Sequence, residues 1–271
     1  MDELRGKVAV VTGAAGGLGL ALVRCFASNG MTVVAADRDE ETLAKATDAV
    51  AGVGGEVVGM AVDVSDPASV DALRDQTFER FGTAHVVCNN AAVFAFGRMV
   101  ESIDLERWRR TIDVNLFGVL HGVRSFLPRL LEQDEGHIVN IASRQGLHGS
   151  AVLGAYSTSK FGIVGLSEAL HEELLELDTQ VGVSVVCPGA IAAERLRTET
   201  RHMEATSPLS AEVAKSALDT VDADVIAGLI ARAIVEGSFY VVSHPATYAL
   251  LEDRNERIFA DTERLGVHRP G

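Results

Sequence analysis

The sequence contains little that could form covalent or metal cross-links. Only three of its 271 residues are cysteines, at positions 25, 88 and 187. Each lies in an apolar segment, and no two have the spacing of metal ligands. A chain of this length can bury most of the surface that its unfolded form exposes, so it needs neither disulfides nor a structural metal. We therefore expect reduced core cysteines, no metal site and a cytoplasmic location.

Positive charge and long apolar runs are also scarce. The chain has 24 Lys and Arg residues against 38 Asp and Glu residues, which gives a formal net charge of −14. Nucleic acids and anionic membranes bind cationic surfaces, so neither is expected as a partner. No apolar run is long enough to span a bilayer, and the N-terminus lacks the pattern of a secretory leader.

Short apolar runs rich in Val, Ile and Ala alternate with helical patterns along most of the chain. Strands are predicted at 7–12, 32–36, 57–62, 85–88, 137–141, 181–186 and 238–243. Near-continuous apolar strands that alternate with helices indicate a parallel sheet covered by helices on both faces. The predicted fold class is α/β, with one domain over 1–271 built on a doubly wound, seven-stranded parallel sheet.

Four further segments stand out from this alternation. Long helices are predicted at 105–131 and 156–177. After Gly189 the alternation of apolar strands and helical segments stops. The polar segment 190–220 is predicted to be a substrate loop or lid. Residues 245–271 are predicted to form a C-terminal helical extension.

A glycine-rich turn joins the first predicted strand to the first helix. It contains Gly13, Gly17, Leu18 and Gly19, a spacing that differs from the common G-x-G-x-x-G. Such a turn lets backbone N–H groups and the positive end of the helix dipole face a pyrophosphate. The alternative is a tight turn between strand and helix that binds no ligand.

Acidic residues follow the second and third strands. Asp37 is placed to accept hydrogen bonds from an adenosine ribose, and its charge would repel a 2′-phosphate, so NAD is favoured over NADP. Arg38 could pair with that phosphate if Asp37 turned away, or it could stack on the adenine or face solvent. Asp63 suits an adenine amino group or the N-cap of a helix.

Tyr156 and Lys160 are four residues apart in a helical pattern, so they share one helix face. An unperturbed tyrosine has a pKa of about 10, which is too high for an efficient base near neutral pH. A neighbouring ammonium group favours the phenolate and lowers that pKa. The pair is therefore a candidate acid–base group.

Taken together, these motifs resemble those of the short-chain dehydrogenase/reductase family over residues 5–245. The matching segments are Thr12-Gly13-x-x-x-Gly17-x-Gly19, Asp63-Val64, Asn89-Asn90-Ala91, Asn115, Ser143, Tyr156-x-x-x-Lys160 and Pro188-Gly189. The resemblance implies a Rossmann fold and an enzyme that transfers a hydride between NAD(P) and an alcohol or ketone.

The resemblance also implies roles for individual residues. Tyr156 would act as the acid and base, Ser143 would orient the substrate oxygen, and Lys160 would bind the nicotinamide ribose. Asn115 would help hold a water in a proton relay, although from the residues alone it could equally be a buried structural amide. The further residues implied at the cofactor are Val64, Asn89, Ala91, Pro188, Gly189 and Ile191.

The chain departs from the family pattern at two positions. Ala193 stands where the family usually has a threonine that binds the carboxamide, so backbone groups, chiefly at Ile191, or a neighbour such as Thr198 would replace it. Ala92 stands where glycine is common.

Apolar residues surround the expected substrate position. Phe94, Gln145, Leu147 and Leu153 are candidate substrate contacts, and no paired arginines are available for a carboxylate or phosphate. A hydrophobic secondary alcohol or ketone is therefore the expected substrate, although each of these residues could instead face the core or a neighbouring subunit. We expect a homodimer or homotetramer formed through the two long helices.

Two other functions compete with a dehydrogenase. A nucleotide-binding sensor or scaffold could use the same fold without catalysis, but it would not require Ser143, Tyr156 and Lys160 together. An epimerase or dehydratase on this fold would tend to carry a longer C-terminal substrate domain.

Overall fold

The computed structural model describes residues 1, 3–97, 99, 104–191 and 220–267. The strands are β1 (Val8–Thr12), β2 (Thr32–Asp37), β3 (Val57–Ala61), β4 (Val86–Asn89), β5 (Gly136–Ile141), β6 (Val181–Val186), β7 (Ala190–Ile191), β8 (Thr220–Val221) and β9 (Tyr240–Val241). The helices are α1 (Gly17–Ser28), α2 (Glu40–Ala49), α3 (Pro67–Phe81), α4 (Leu105–Ile112), α5 (Gly118–Glu132), α6 (Gly154–Glu176), α7 (Ala223–Glu236) and α8 (Ala246–Arg264).

Seven of these strands form one parallel sheet in the order β3-β2-β1-β4-β5-β6-β9. The predicted seven-stranded, doubly wound parallel sheet is confirmed. The strand order reverses between β1 and β4, which lie side by side although two strands separate them in the chain. In open α/β sheets, ligands bind at such a reversal, beyond the carboxyl ends of the strands.

The core has one layer on each face of the sheet. Successive residues of a strand point to opposite faces, so in β1 Ala9 and Val11 join one cluster whereas Val10 joins the other. The first cluster packs the sheet against α1, α2 and α7, and the second packs it against α3, α5 and α6. Both faces are therefore buried, which explains why the strands are apolar without alternation.

Local capping chemistry sets the ends of the helices that lead toward the site. Pro67 is in the first turn of α3, where the N–H that proline lacks would have no partner within the helix. The side chain of Asp66 accepts a hydrogen bond from the N–H of Ala68 at this helix start. The α3 helix ends at Gly82, whose positive φ of 75° favours glycine.

The helix predicted over 105–131 is not uniform. A π-helical segment, Asp113–Phe117, separates α4 from α5, and it contains the buried Asn115. π-Helical turns inside α-helices are often found at functional sites. The predicted substrate loop at 190–220 lies, except for β7 and Thr220, outside the described residues, and so do Ala193 and Thr198.

None of the helices within the described ranges combines the length and the apolar character that crossing a membrane would require. Within the same ranges, His, Cys, Asp and Glu side chains do not form a group that could hold a metal ion. The three cysteines are free; Cys88 and Cys187 are buried and Cys25 is half-buried.

The packing of α1 against the sheet predicts a large stability loss on truncation. Leu22 is fully buried in α1, so Leu22→Ala should lower the free energy of unfolding by roughly 2–5 kcal/mol. Leu265 is 83% exposed at the end of α8, and Leu265→Ala should change it by less than about 0.5 kcal/mol. Equal losses in chemical denaturation of the two variants would contradict this packing.

Candidate active site

One cavity of about 970 Å³ opens where the strand order reverses. Its volume is at the upper end of the range of about 300–1,000 Å³ that is typical of ligand sites, so it has room for a dinucleotide and a small substrate. Most of the predicted site residues line this cavity: Gly13, Gly17, Leu18, Gly19, Asp37, Arg38, Asp63, Val64, Ala91, Phe94, Ser143, Gln145, Leu153, Tyr156, Lys160, Pro188, Gly189 and Ile191. Three do not line it, namely Asn89, Asn115 and Leu147.

The glycine turn forms a cradle that larger residues would fill. Gly13 has a positive φ of 66°, and a Cβ atom added there would lie 2.7 Å from the Cα of Ala91. A Cβ on Gly19 would overlap the carbonyl oxygen of Gly13. The first turn of α1 has no side-chain cap, since Gly16 stands at the N-cap position. The cradle therefore presents backbone donors and the helix dipole to the cavity, which fits the pyrophosphate of a dinucleotide.

Asp37 is held in place by two backbone donors. Its Oδ2 accepts from the N–H of Ala15 at 3.1 Å, and its Oδ1 accepts from the N–H of Asp39 at 3.2 Å. The first bond ties the end of β2 to the glycine turn, so the carboxylate stays at the cavity wall. Arg38 lines the same cavity. This end of the cavity fits an adenosine ribose.

Asp63 does not cap a helix. Its Oδ1 accepts from the N–H of Ser65 at 3.0 Å and from the Ser65 hydroxyl at 2.6 Å, whereas Asp66 caps α3. The hydrogen bond from the Ser65 hydroxyl is the main cause that lowers the pKa of Asp63, so the carboxylate is charged at neutral pH. The N-cap alternative for Asp63 is therefore wrong, and Asp63 lines the cavity.

Asn90, rather than Asn89, is the residue of this motif whose side chain supports the cavity wall. Its Nδ2 donates to the carbonyl oxygens of Thr12 at 2.8 Å and of Gly13 at 3.2 Å. The Thr12 hydroxyl in turn accepts from the backbone N–H groups of Asn90 and Ala91. These bonds join the ends of β1 and β4 beneath the glycine turn.

The prediction that Asn89 contacts the cofactor does not agree with its position. The side chain of Asn89 points into the layer below the cavity, where its Nδ2 donates to Oδ1 of Asn140 at 2.9 Å. Asn140 donates to Ser167, which donates to the carbonyl of Ile163. Adjacent strand residues face opposite sides, so the cavity-facing role goes to the next residue along the chain. Asn89 is a link in a buried polar chain.

Ser143, Tyr156 and Lys160 meet at the other end of the same cavity. Ser143 follows β5 and starts a short 3₁₀ turn, Arg144–Gly146, whose Gln145 N–H donates to its hydroxyl at 3.2 Å. Tyr156 and Lys160 lie in the first two turns of α6. The Nζ of Lys160 is 5.5 Å from the centroid of the Tyr156 ring and donates to the carbonyl of Ile141 at 2.8 Å. Sequence spacing predicted this grouping, and the geometry agrees with it.

Burial moves the pKa values of both ionisable groups. It raises the pKa of Tyr156 to about 12, and a hydrogen bond with Ser143 opposes this rise. It lowers the pKa of Lys160, which is only 2% exposed, to about 7. Both shifts have the same origin, since a dry site disfavours any charged form. Burial thus opposes the lowering of the Tyr156 pKa that is expected from Lys160 and a positively charged nicotinamide together.

Asn115 is fully buried, and both polar atoms of its side-chain amide form hydrogen bonds to protein groups. Its Oδ1 accepts from the N–H of Val93 at 2.8 Å, and its Nδ2 donates to the carbonyl of Val93 at 3.0 Å and to the Ser159 hydroxyl at 3.1 Å. This arrangement favours the structural alternative for the side chain. Asn115 ties the π-helical segment to the chain beyond β4 and to α6, next to Lys160.

Aromatic rings form the wall beside Tyr156. The ring of Phe94 stacks on Tyr156 with centroids 4.6 Å apart, and Phe96 stacks behind Phe94 at 6.1 Å. Val152 and Leu153 complete this apolar cluster. Val152 has a positive φ of 60°, an unusual conformation for a β-branched residue, and strain of this kind tends to occur at functional loops.

Two predicted substrate residues have other contacts. Leu147 packs against the core layer that contains Ile163 and Val164, so it does not face the cavity. Gln145 lines the cavity, but its Oε1 also accepts from the Ser157 hydroxyl at 3.2 Å, which fixes its orientation. Phe94, Phe96 and Leu153 therefore supply the apolar surface next to the trio of Ser143, Tyr156 and Lys160.

Comparisons with known proteins identify the family of the chain. A family model described as short chain dehydrogenase matches residues 7–204. A 1-deoxy-11-beta-hydroxypentalenate dehydrogenase of Streptomyces exfoliatus is 33% identical over 259 residues, which are 95% of this chain and 90% of that protein.

Two solved structures of short-chain dehydrogenases also resemble the chain. One from Burkholderia phymatum, in complex with NAD, is 37% identical, with a TM-score of 0.87 over 100% of this chain and 98% of that one. A metagenomic short-chain oxidoreductase in complex with NADP is 32% identical, with a TM-score of 0.72 over 89% of this chain and 96% of that one. By its matched motifs, its sheet and these relatives, the chain belongs to the short-chain dehydrogenase/reductase family of oxidoreductases.

Proposed function

We propose that this protein is an NAD(H)-dependent dehydrogenase that interconverts a hydrophobic secondary alcohol and the corresponding ketone, with Tyr156 as acid and base. The observation that carries the proposal is the shared cavity. Its glycine cradle and Asp37 lie at one end, and Ser143, Tyr156 and Lys160 lie at the other. A nucleotide held by the first group brings its reactive ring to the second.

The residues of the trio have separate tasks. Bound NAD(H) supplies or accepts the hydride, and the protein handles the proton. In the oxidation direction, Tyr156 takes the hydroxyl proton of the alcohol as the carbon loses its hydride; in reduction, Tyr156 donates a proton to the ketone oxygen. The hydroxyl of Ser143 orients that oxygen. Lys160, as an ammonium, lowers the pKa of Tyr156 and binds the ribose hydroxyls.

Asp37 supports the preference for NAD. Its position is fixed by the Ala15 and Asp39 N–H groups, so it cannot turn aside without losing both bonds. A fixed carboxylate at the ribose repels the additional phosphate of NADP. Arg38 is its competitor, because a guanidinium at the same wall attracts that phosphate.

The wall beside the trio supports an apolar substrate. Phe94 and Phe96 present stacked rings, and Leu153 adds an aliphatic surface. Apolar walls with a few polar groups are typical of sites for hydrophobic ligands. The Streptomyces relative is named for a dehydrogenated hydroxy compound, which agrees with an alcohol of this type.

We also propose that the protein is a homo-oligomer formed through α5 and α6, as a dimer or a tetramer. Phe117, at the end of the π-helical segment that leads into α5, is 44% exposed, and Leu120 in α5 is 40% exposed. Apolar side chains of this size at a helix surface favour burial against a second copy.

The first test removes the phenol. Tyr156→Phe should lower kcat by roughly 10²- to 10⁴-fold, because it removes the proton donor and acceptor. The affinity for NADH, measured by its fluorescence, should hardly change. Tyr248→Phe is the matched control, since Tyr248 is 58% exposed on α8. Full activity of Tyr156→Phe in a panel of alcohols and ketones would exclude the proposed role.

The second test concerns cofactor choice. Asp37→Asn removes the charge but keeps one acceptor, so the ratio of kcat/KM for NAD to that for NADP should fall by roughly 10- to 100-fold. Asp48→Asn changes the net charge equally on the exposed side of α2 and should leave the ratio unchanged. A wild-type protein that prefers NADP would show that Arg38 outweighs Asp37.

The third test uses pH. Burial raises the pKa of Tyr156 to about 12, which favours the phenol form at neutral pH. Alcohol oxidation needs the phenolate, so its kcat/KM should rise with pH by up to about tenfold per unit. Ketone reduction needs the phenol and should stay level before it falls at high pH. Parallel profiles in the two directions would point to a different titrating group.

A further inference from the structure

A buried histidine that belongs to none of the motifs above contacts the cavity wall from behind. His244 follows β9 and is 1% exposed. Its Nδ1 accepts from the N–H of Gly189 at 3.0 Å, and its Nε2 lies 3.0 Å from the carbonyl oxygen of Ala190. One imidazole ring thus bonds to two successive residues of the segment that follows β6.

These contacts determine the tautomer of the ring. Nδ1 faces an N–H donor, so it must carry a lone pair. Nε2 faces a carbonyl oxygen, so it must carry the proton. The hydroxyl of Ser243 lies 2.7 Å from the same Nδ1. The neutral Nε2–H form therefore satisfies both backbone groups together.

The ring approaches the backbone so closely that only glycine fits. A Cβ added to Gly189 would lie 2.5 Å from Cγ of His244. Gly189 is therefore required here because of the imidazole against it.

The segment that His244 contacts is also hydrogen-bonded to Ser143 and Arg144. The carbonyl of Pro188 accepts from the N–H of Arg144 at 2.8 Å and from the Ser143 hydroxyl at 3.4 Å. Pro188, Gly189, Ala190 and Ile191 all line the cavity beside the trio. Proton transfer at Tyr156 and hydride transfer must occur at the two ends of one carbon–oxygen bond, so the nicotinamide must lie beside this segment.

We propose that His244 is a positioning residue that holds the Pro188–Ile191 backbone in the conformation that binds the nicotinamide half of the cofactor. The inference rests on the proposed function for the identity of the ligand. His244 acts through Gly189 and Ala190. Its loss should therefore weaken binding of the nicotinamide and leave binding of the adenosine end nearly unchanged.

The chain offers a matched control at the amino ends of the strands, opposite the cavity. His137 at the start of β5 is also buried, and its Nε2 lies 2.8 Å from the Ser184 hydroxyl. A Cβ on Gly182 would lie 2.7 Å from its Nδ1. The pair His137 and Gly182 thus repeats the packing of His244 and Gly189 at the amino end of the strands, away from the cavity.

The test compares the affinities for NADH and for ADP-ribose, which lacks the nicotinamide, by isothermal titration calorimetry. His244→Ala should weaken NADH binding by about tenfold or more and leave ADP-ribose binding nearly unchanged, because only the nicotinamide wall loosens. Turnover should fall by up to about 100-fold through misplacement of the ring. His137→Ala should leave the ratio of the two affinities and kcat unchanged, although it lowers the melting temperature.

Two conservative variants separate the halves of the contact. His244→Asn keeps an acceptor near Gly189, and His244→Gln keeps a donor near Ala190. Each should recover part of the NADH affinity. Gly189→Ala should be damaging in the wild type and much less so in His244→Ala, because the smaller side chain leaves room for the added methyl group.

Two results would overturn the proposal. The first is an unchanged ratio of the NADH and ADP-ribose affinities in His244→Ala, whether or not both affinities fall. The second is an equal change of that ratio in His137→Ala. A wild type without turnover on any alcohol or ketone would refute the proposed function alone. The role of His244 would still stand in that case if His244→Ala weakened NADH binding selectively.

Discussion

The structure depends on the close approach of two residues that follow neighbouring strands, Gly13 after β1 and Ala91 after β4. Gly13 lies so near Ala91 that a methyl group would not fit between them, and Asn90 bonds to the carbonyls that precede the turn. This contact keeps the two halves of the sheet together at the point where their connections leave on opposite sides. The cavity opens above this contact, where the segments that follow β1 and β4 separate. The cradle, Asp37 and the trio are all placed relative to it.

Burial raises the pKa of Tyr156 and lowers the pKa of Lys160, so it has opposite effects on the two ionisable groups of the trio. Burial holds Tyr156 as a phenol and weakens the hold of Lys160 on its proton. A positively charged ring or an anionic partner that enters the site changes both balances at once, because charges interact strongly where water is excluded. The protonation of Tyr156 and Lys160 therefore depends on which charged groups lie in the cavity.

Much of this could be predicted from the sequence, for reasons that are local. Apolar runs that alternate with helical patterns predicted the sheet, and a four-residue spacing placed Tyr156 and Lys160 on one helix face. Three residues expected at the site, Asn89, Asn115 and Leu147, do not line the cavity. Asn89 bonds to Asn140, Asn115 bonds to Val93 and Ser159, and Leu147 packs in the core layer of α6. These partners are distant in sequence, and spacing carries no information about them.

His244 illustrates the same limit and has a consequence for how the protein matures. Its partners Gly189 and Ala190 precede it by more than fifty residues, and it reaches them only after β9 has paired with β6 at the edge of the sheet. A nascent chain that has emerged through α6 and β6 already contains the glycine turn, Asp37 and the trio. The backbone N–H of Gly189 still lacks its acceptor at that stage. Synthesis must run past β9 and His244 before this wall of the cavity is closed, so the wall forms later than the glycine turn and the trio.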